Sequence, residues 1–255
     1  MKLEEIADRV IETDVLIMGG GIGGCCAAAK AAEHGLKVVL AEKANPERSG
    51  SAAMGIDHYG GFPKGTSVLN MVNKAQKFIS MTNGPGRFLD PNLNYKIYDS
   101  AFWALEELEK LGVSSKWDDG EYRWMPEPEN SMRGGGTLRV HWQNIKPQLA
   151  KAVKERGVEI LQWTPIIDFL TNEDKIVGAT ALNSRTGEFI VIKAKAVVVA
   201  TGSFGRCYEG ETPLPGKYKF KYHFCPASLS GDGHAAVYRA GGELVNMELT
   251  GFGFK

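Results

Sequence analysis

The chain has 255 residues, 43% of them hydrophobic, with 30 basic and 30 acidic side chains and a formal charge of zero. That apolar content can bury a substantial core and excludes disordered and low-complexity classes. The charge balance advertises no surface for nucleic acid or another polyanion, which leaves small molecules and proteins as partners.

Residues 1–14, MKLEEIADRVIETD, are charged and lack the apolar run of a signal peptide. No segment approaches the roughly 20 apolar residues of a membrane span. The cysteines, at 25, 26, 207 and 225, make no C-x-x-C pair. A chain of this length needs no disulfide staple, so free thiols in a reducing compartment, hence a soluble cytoplasmic protein, are expected.

TDVLIM then reads as a strand, and five of the six residues from Gly19 to Gly24 are glycine. The alanine-rich CCAAAKAAEHG that follows is a helix closed by Gly35, and KVVLAEK is a second apolar strand. Strand, glycine turn, helix and strand make a βαβ unit. Residues 44–65 are rich in Gly, Ser and Pro, a long ordered loop of the kind that is usually functional.

Helical patterns resume at about Ser67–Met81 and Pro91–Leu111, the second with Asp90 as N-cap. WDDGEYRW, centred on Asp119-Gly120, predicts a small hairpin. Trp142–Arg156 reads as a helix. From Val158 the pattern changes to period two, with turn residues at Asn172–Lys175 and Thr186-Gly187, so a β-meander feeds a buried strand ending in AVVVATGS. A helix at Gly231–Ala240 and a short strand at about Glu243–Met247 close the chain. There is no internal repeat.

Gly19, Gly21 and Gly24 fit G-x-G-x-x-G where a strand becomes a helix, with Ile22 and Gly23 between them. The first glycine permits the tight turn, the second lets a pyrophosphate approach the backbone, and the third lets helix and strand pack closely. The phosphates would face the unpaired N–H groups of the helix N-terminus. Glu42, 18 residues beyond Gly24, ends the second strand where a carboxylate accepts from ribose hydroxyls, and an acid there argues against NADP. These residues predict a dinucleotide site without separating FAD from NAD.

Three further stretches carry a resemblance: ERSGSAAMG (Glu47–Gly55), AVVVATGS (Ala196–Ser203) and SGDGHAAVYRAGGELVNME (Ser230–Glu248). From about Asp14 to Lys255, more loosely over 66–140, the chain resembles the FAD-binding domain of the fumarate reductase/succinate dehydrogenase flavoprotein family. That family also includes aspartate oxidase and the adenylylsulfate reductase flavoprotein subunit. The fold so implied is a Rossmann-like α/β domain of the glutathione-reductase type, with a central parallel sheet, a β-meander and inserted helices between about 66 and 157.

The resemblance implies FAD contacts at Lys43, beside Glu42, and in the loop at Arg48, Ser49, Gly50, Ser51 and Gly55, which lines the flavin in the family. It implies further contacts at Ala200, Thr201 and Gly202, and at Asp232 of Gly-Asp-Gly; Asp232 is also a natural N-cap. Ile166 falls where a relative's backbone meets the adenine, and is equally a core isoleucine. Members that bind FAD covalently carry a histidine where this chain has Gly50, so the implied FAD is non-covalent.

The family's substrate histidine, or the arginine of the adenylylsulfate reductases, falls at Gly253 here, so no substrate signature is matched. The family's capping domain has no counterpart in these 255 residues. A fragment or split subunit is therefore expected, with an iron–sulfur partner subunit implied and the small-molecule substrate open. An FAD-bearing electron-transfer subunit without a substrate site of its own, as in an adenylylsulfate reductase-like assembly, is the alternative.

Other polar groups have plainer readings beside functional ones. His58 faces substrate or holds its loop, and His141 and Trp142 cap and pack a helix. Cys25 and Cys26 sit where a helix N-terminus can lower a thiol pKa, or simply pack. Arg133 and Arg139 bind an anion or solvate a loop. Nothing has metal-ligand spacing, and no catalytic residue can be assigned.

Overall fold

A computed structural model describes residues 3–53, 55–60, 63, 65, 67–69, 90–125, 137–204, 226, 228–245 and 247. The chain divides into two compact units, one of Met1–Met54 with Lys146–Lys255, the other of Gly55–Ile145.

In the first unit a short helix α1 (Leu3–Ile6) precedes β1 (Arg9–Met18), α2 (Ile22–Glu33) and β2 (Val38–Glu42). The predicted βαβ unit is therefore present, with β1 and β2 parallel. Its remaining strands are β6 (Glu159–Gln162), β7 (Ile166–Asn172), β8 (Lys175–Leu182) and β9 (Phe189–Val199). They join one six-stranded sheet in the order β6-β2-β1-β9-β8-β7. Strands β6, β2, β1 and β9 pair in parallel, and the meander β7–β8–β9 pairs antiparallel.

Every residue of β2 is buried, as expected of a parallel strand covered on both faces. Leu16, Val39, Ile190 and Ile192 form the centre of the core, each worth about 1.5–3 kcal/mol of burial. Helix α2 buries only small residues, Gly24, Cys25, Ala28 and Ala29, which lets it lie close to the sheet. Glu173 and Asp174 take left-handed backbone angles (φ 47° and 61°) in the two-residue turn between β7 and β8.

Three expectations are corrected here. The last residues of β9 are not buried: Val198 and Val199 remain 38% and 40% exposed. Residues 243–245 and 247 form no strand, because Gly241 (φ 87°) and Gly242 turn the chain back with N–H groups bonded to Tyr238 and Val237. The last described helix, α6 (Asp232–Arg239), is capped by Gly231 at φ 77°, so Asp232 is its first residue rather than its N-cap.

The second unit holds β3 (Ile56–Gly60), α3 (Pro91–Asp99), α4 (Ala101–Lys110), β4 (Arg123–Met125) and β5 (Thr137–Trp142). Its strands form an antiparallel sheet in the order β3-β5-β4. The long loop thus contains a strand, because residues 56–60 find a partner some 80 positions away. Asp90 caps α3, its carboxylate accepting from the N–H groups of Asn92 and Leu93.

The single helix expected over 91–111 is two, divided at Ser100, where Asp99 and Ser100 are both poor helix formers. The Asp119-Gly120 turn exists, with Trp117 N–H on Glu121 O, yet β4 pairs with β5 rather than with the arm before the turn. His141 and Trp142 belong to β5, so the helix expected from Trp142 begins three residues later, as α5 (Ile145–Glu155). Of the helix expected over 67–81, only 67–69 lie among the described residues.

Candidate cofactor site

The glycine turn is built by close backbone packing. Gly19 has φ 104°, and a Cβ on it would lie 2.7 Å from the Ala200 carbonyl oxygen. A Cβ on Gly24 would lie 1.8 Å from the Gly19 oxygen. These two glycines let α2 press against the ends of β1 and β9. Gly21 and Gly23 differ: nothing lies nearer than 3.9 Å to a Cβ on the first, and nothing within 4 Å on the second. Gly21 is the N-cap of α2 and Ile22 its first residue, with no side chain capping the helix. Open space thus stands over first-turn N–H groups that the helix itself cannot satisfy.

Glu42 is 7% exposed, yet both its oxygens are engaged. Oε2 accepts from Gly20 N–H at 2.7 Å and Oε1 from Ala44 N–H at 2.8 Å. A carboxylate with about four acceptor sites keeps room for ribose hydroxyls. At the next peptide along, Lys146 of α5 donates through Nζ to the Gly20 carbonyl oxygen while only 1% exposed. The Cys25 thiol donates to that oxygen at 3.5 Å. Burial pushes the Cys25 thiol up, Lys146 pulling it down and Glu42 pushing it up by less. The lowered thiol considered for a helix N-terminus is not realised at Cys25, and packing is its role.

Sequence reasoning missed Lys146. The available signal was spacing: Lys146 shares one helical face with Ala150 and Val153, four and seven residues on, and both are fully buried.

The residues after β2 reach the start of α6. Lys43 Nζ donates to Ser230 Oγ at 2.8 Å and pairs with Asp232. A Cβ on Gly233 would lie 2.2 Å from Thr201 Oγ1, so α6 starts against the Thr-Gly end of β9, where Gly202 has φ 75°. In the loop Gly50 (φ 80°) approaches Gly21, a Cβ on it lying 3.8 Å from the Gly21 Cα. Ser49 is 7% exposed and its Oγ has no hydrogen-bond partner among the described residues. Arg48 and Ser51 are exposed.

The structure therefore gathers Gly19–Gly24, Glu42, Lys43, Ser49, Gly50, Ala200, Thr201 and Asp232 within the first unit. Gly55 belongs to the second unit, where its positive φ of 88° fits against Gln143. The Ile166 side chain lies in the core of the sheet. His58 is held by Asp57, Nδ1 to Oδ1 at 2.6 Å, and this bond holds the Asp57 carboxyl below its usual range. Arg139 lies opposite His58 in the sheet, while Arg133 and Gly253 fall outside the described residues. Among the described residues no group of His, Cys, Asp and Glu suits a metal ion.

The sequence profile of the FAD binding domain family matches residues 14–253. The chain belongs to this family. It is 26% identical over 253 residues to a component of the fumarate reductase (CoM/CoB) of Methanothermobacter marburgensis, covering 96% of this chain and 42% of that protein. It is 28% identical to the L-aspartate oxidase of Halobacterium salinarum, covering 94% and 45%. The solved adenylylsulfate reductase of Archaeoglobus fulgidus matches it with a TM-score of 0.66 and 27% identity, over 91% of this chain and 36% of that one.

The chain thus spans less than half the length of these relatives, and shares their FAD-binding fold. FAD is the family's cofactor, and the residues present fit it. Space is left open over Gly21 and Gly23, and the buried hydroxyl of Ser49 lacks a partner among the described residues.

Proposed function

We propose that the chain is the FAD-binding part of a flavoprotein oxidoreductase of the fumarate reductase/succinate dehydrogenase-like family, holding FAD non-covalently. The observation that carries this reading is the turn itself: a helix N-terminus left open at Gly21 and Gly23, with Gly50 brought alongside. The diphosphate would bind the N–H groups of Ile22, Gly23 and Gly24, and the ribose hydroxyls would bind Glu42. Lys43 and Asp232 would border the same pocket, with Ser49 and Gly50 toward the flavin. Bound FAD supplies the electron or hydride acceptor, and these residues position it.

Fumarate, aspartate and adenylylsulfate name the substrates of relatives. A small anion of that kind, acted on together with chain beyond these 255 residues or with an iron–sulfur partner subunit in the cytoplasm, is the reading we favour. Gly253, at the relatives' substrate-contacting position, supports a second reading: an FAD-bearing electron-transfer subunit with no substrate site. Among the described residues no helix is long and apolar enough to cross a membrane.

The test is the visible absorption spectrum of the purified protein, repeated on the supernatant after acid precipitation. A flavin spectrum that moves into the supernatant is expected. A colourless protein that takes up no added FAD would overturn the proposal, and colour retained in the pellet would overturn its non-covalent part. Co-purification of an iron–sulfur protein without turnover of any dicarboxylate would favour the second reading.

A further inference from the structure

Lys146 is the largest fully buried side chain among the described residues. Lysine is almost never fully buried unless paired, because an unscreened charge in the interior costs several kcal/mol. Among the described residues no carboxylate is bonded to it. Its Nζ has the Gly20 carbonyl as acceptor, one acceptor for three N–H donors. On the other side of the Gly20 Cα, the Gly20 N–H donates to Glu42, itself buried. A single glycine of the turn is therefore held between opposite buried charges that form no direct ion pair. Cys25, beneath the turn, feels both of them.

Alone, Glu42 would place an uncompensated negative charge beside the open helix N-terminus, where it repels a diphosphate. We propose that Lys146 is a positioning residue of the cofactor site, whose buried positive charge fixes the Gly20 carbonyl and offsets Glu42 so that the turn accepts a diphosphate. The inference rests on the FAD reading above for its ligand, and on geometry alone for its charge balance.

The sign of a double substitution tests it. Lys146→Gln keeps a neutral donor for the Gly20 oxygen, removes the charge, and should weaken FAD binding about tenfold or more, measured by quenching of flavin fluorescence. Glu42→Gln, harmful to ribose binding in the wild-type protein, should improve matters in that background. The double variant is expected to bind FAD several-fold tighter than Lys146→Gln, and its apoprotein to melt roughly 3 °C higher.

A residue that merely packs would give the opposite order, each substitution adding its own loss. A double variant that binds FAD no better than Lys146→Gln and melts no higher overturns the proposal, including the case in which neither variant folds. Wild-type protein that binds no FAD would overturn the proposed function instead, and the melting comparison of the apoproteins would then decide the role of Lys146 by itself.

Discussion

The two sides of the six-stranded sheet solve burial differently. On the parallel side, β2 is buried throughout and carries a carboxylate inward at Glu42, while α5 brings a lysine to the same turn. On the antiparallel side, β7 and β8 bury Ile166, Ala179 and Ala181 in one core with Ile190 and Ile192 and leave Ile167, Val177 and Leu182 exposed. The meander needs only apolar faces and turn residues to be stable. The parallel side carries buried charges that an apolar replacement would render unnecessary for folding, which marks it as the side shaped for a ligand.

Two glycines make that contrast measurable, because each forbids a side chain by a similar clash. A Cβ on Gly24 would sit 1.8 Å from the Gly19 oxygen, and one on Gly178 in β8 would sit 2.0 Å from the Ile192 oxygen. Gly24→Ala is expected to have the largest effect, about 3 kcal/mol of stability together with loss of flavin from the purified protein. Gly178→Ala should cost a similar or slightly smaller amount, read as a lower Tm, yet its folded fraction should bind FAD with wild-type affinity. Equal losses of affinity in the two variants would erase the distinction between the sides.

What was legible in the sequence divides along physical lines. The βαβ unit and the meander rest on short-range signals: glycine spacing, continuous apolar runs, and Asn, Asp and Gly at turns. Those signals placed α2, β2, β7, β8 and β9 and the second half of β1, and missed the first half of β1 and the exposure at the end of β9. The small sheet of the second unit depends on pairing Ile56–Gly60 with Thr137–Trp142, and nothing local to either segment announces a partner so far away. At the site, the packing roles of Gly19 and Gly24 were legible because the motif defines them. Lys146 was not, because a lysine at the start of an amphipathic helix is ordinarily solvated. Its burial follows from which helix packs under the turn.

Ser49 sharpens the comparison through opposite signs in two measurements. Its Oγ is buried without a partner among the described residues, which costs the protein about 1 kcal/mol or more when no ligand is present. Ser49→Ala removes that cost, so the apoprotein should melt roughly 2–4 °C higher. If the hydroxyl meets FAD, the same variant should bind FAD about fivefold more weakly. Apoprotein stabilisation with unchanged affinity would leave the hydroxyl outside the FAD site.

The smallest effect is expected at a half-buried carboxylate in the strands that also lead to Glu42. Asp14, in β1, accepts from Lys37 N–H at 2.8 Å and pairs with Lys195 of β9 at 2.7 Å. These partners, Lys195 first, hold its carboxyl below the ordinary value of 3.8, and Asp14 in turn raises the Lys195 amine. A carboxyl whose pKa is lower folded than unfolded contributes stability that is present above pH 3.8 and lost as pH falls through the folded value. Asp14→Asn should therefore be slightly less stable than wild type at pH 7 and indistinguishable from it in strong acid, by urea melts at the two pH values. FAD affinity should not change, because the pair is solvated and its charges cancel locally. A large loss at pH 7, or any loss of FAD, would mean that the charges of such a surface pair couple to the turn as the buried ones do.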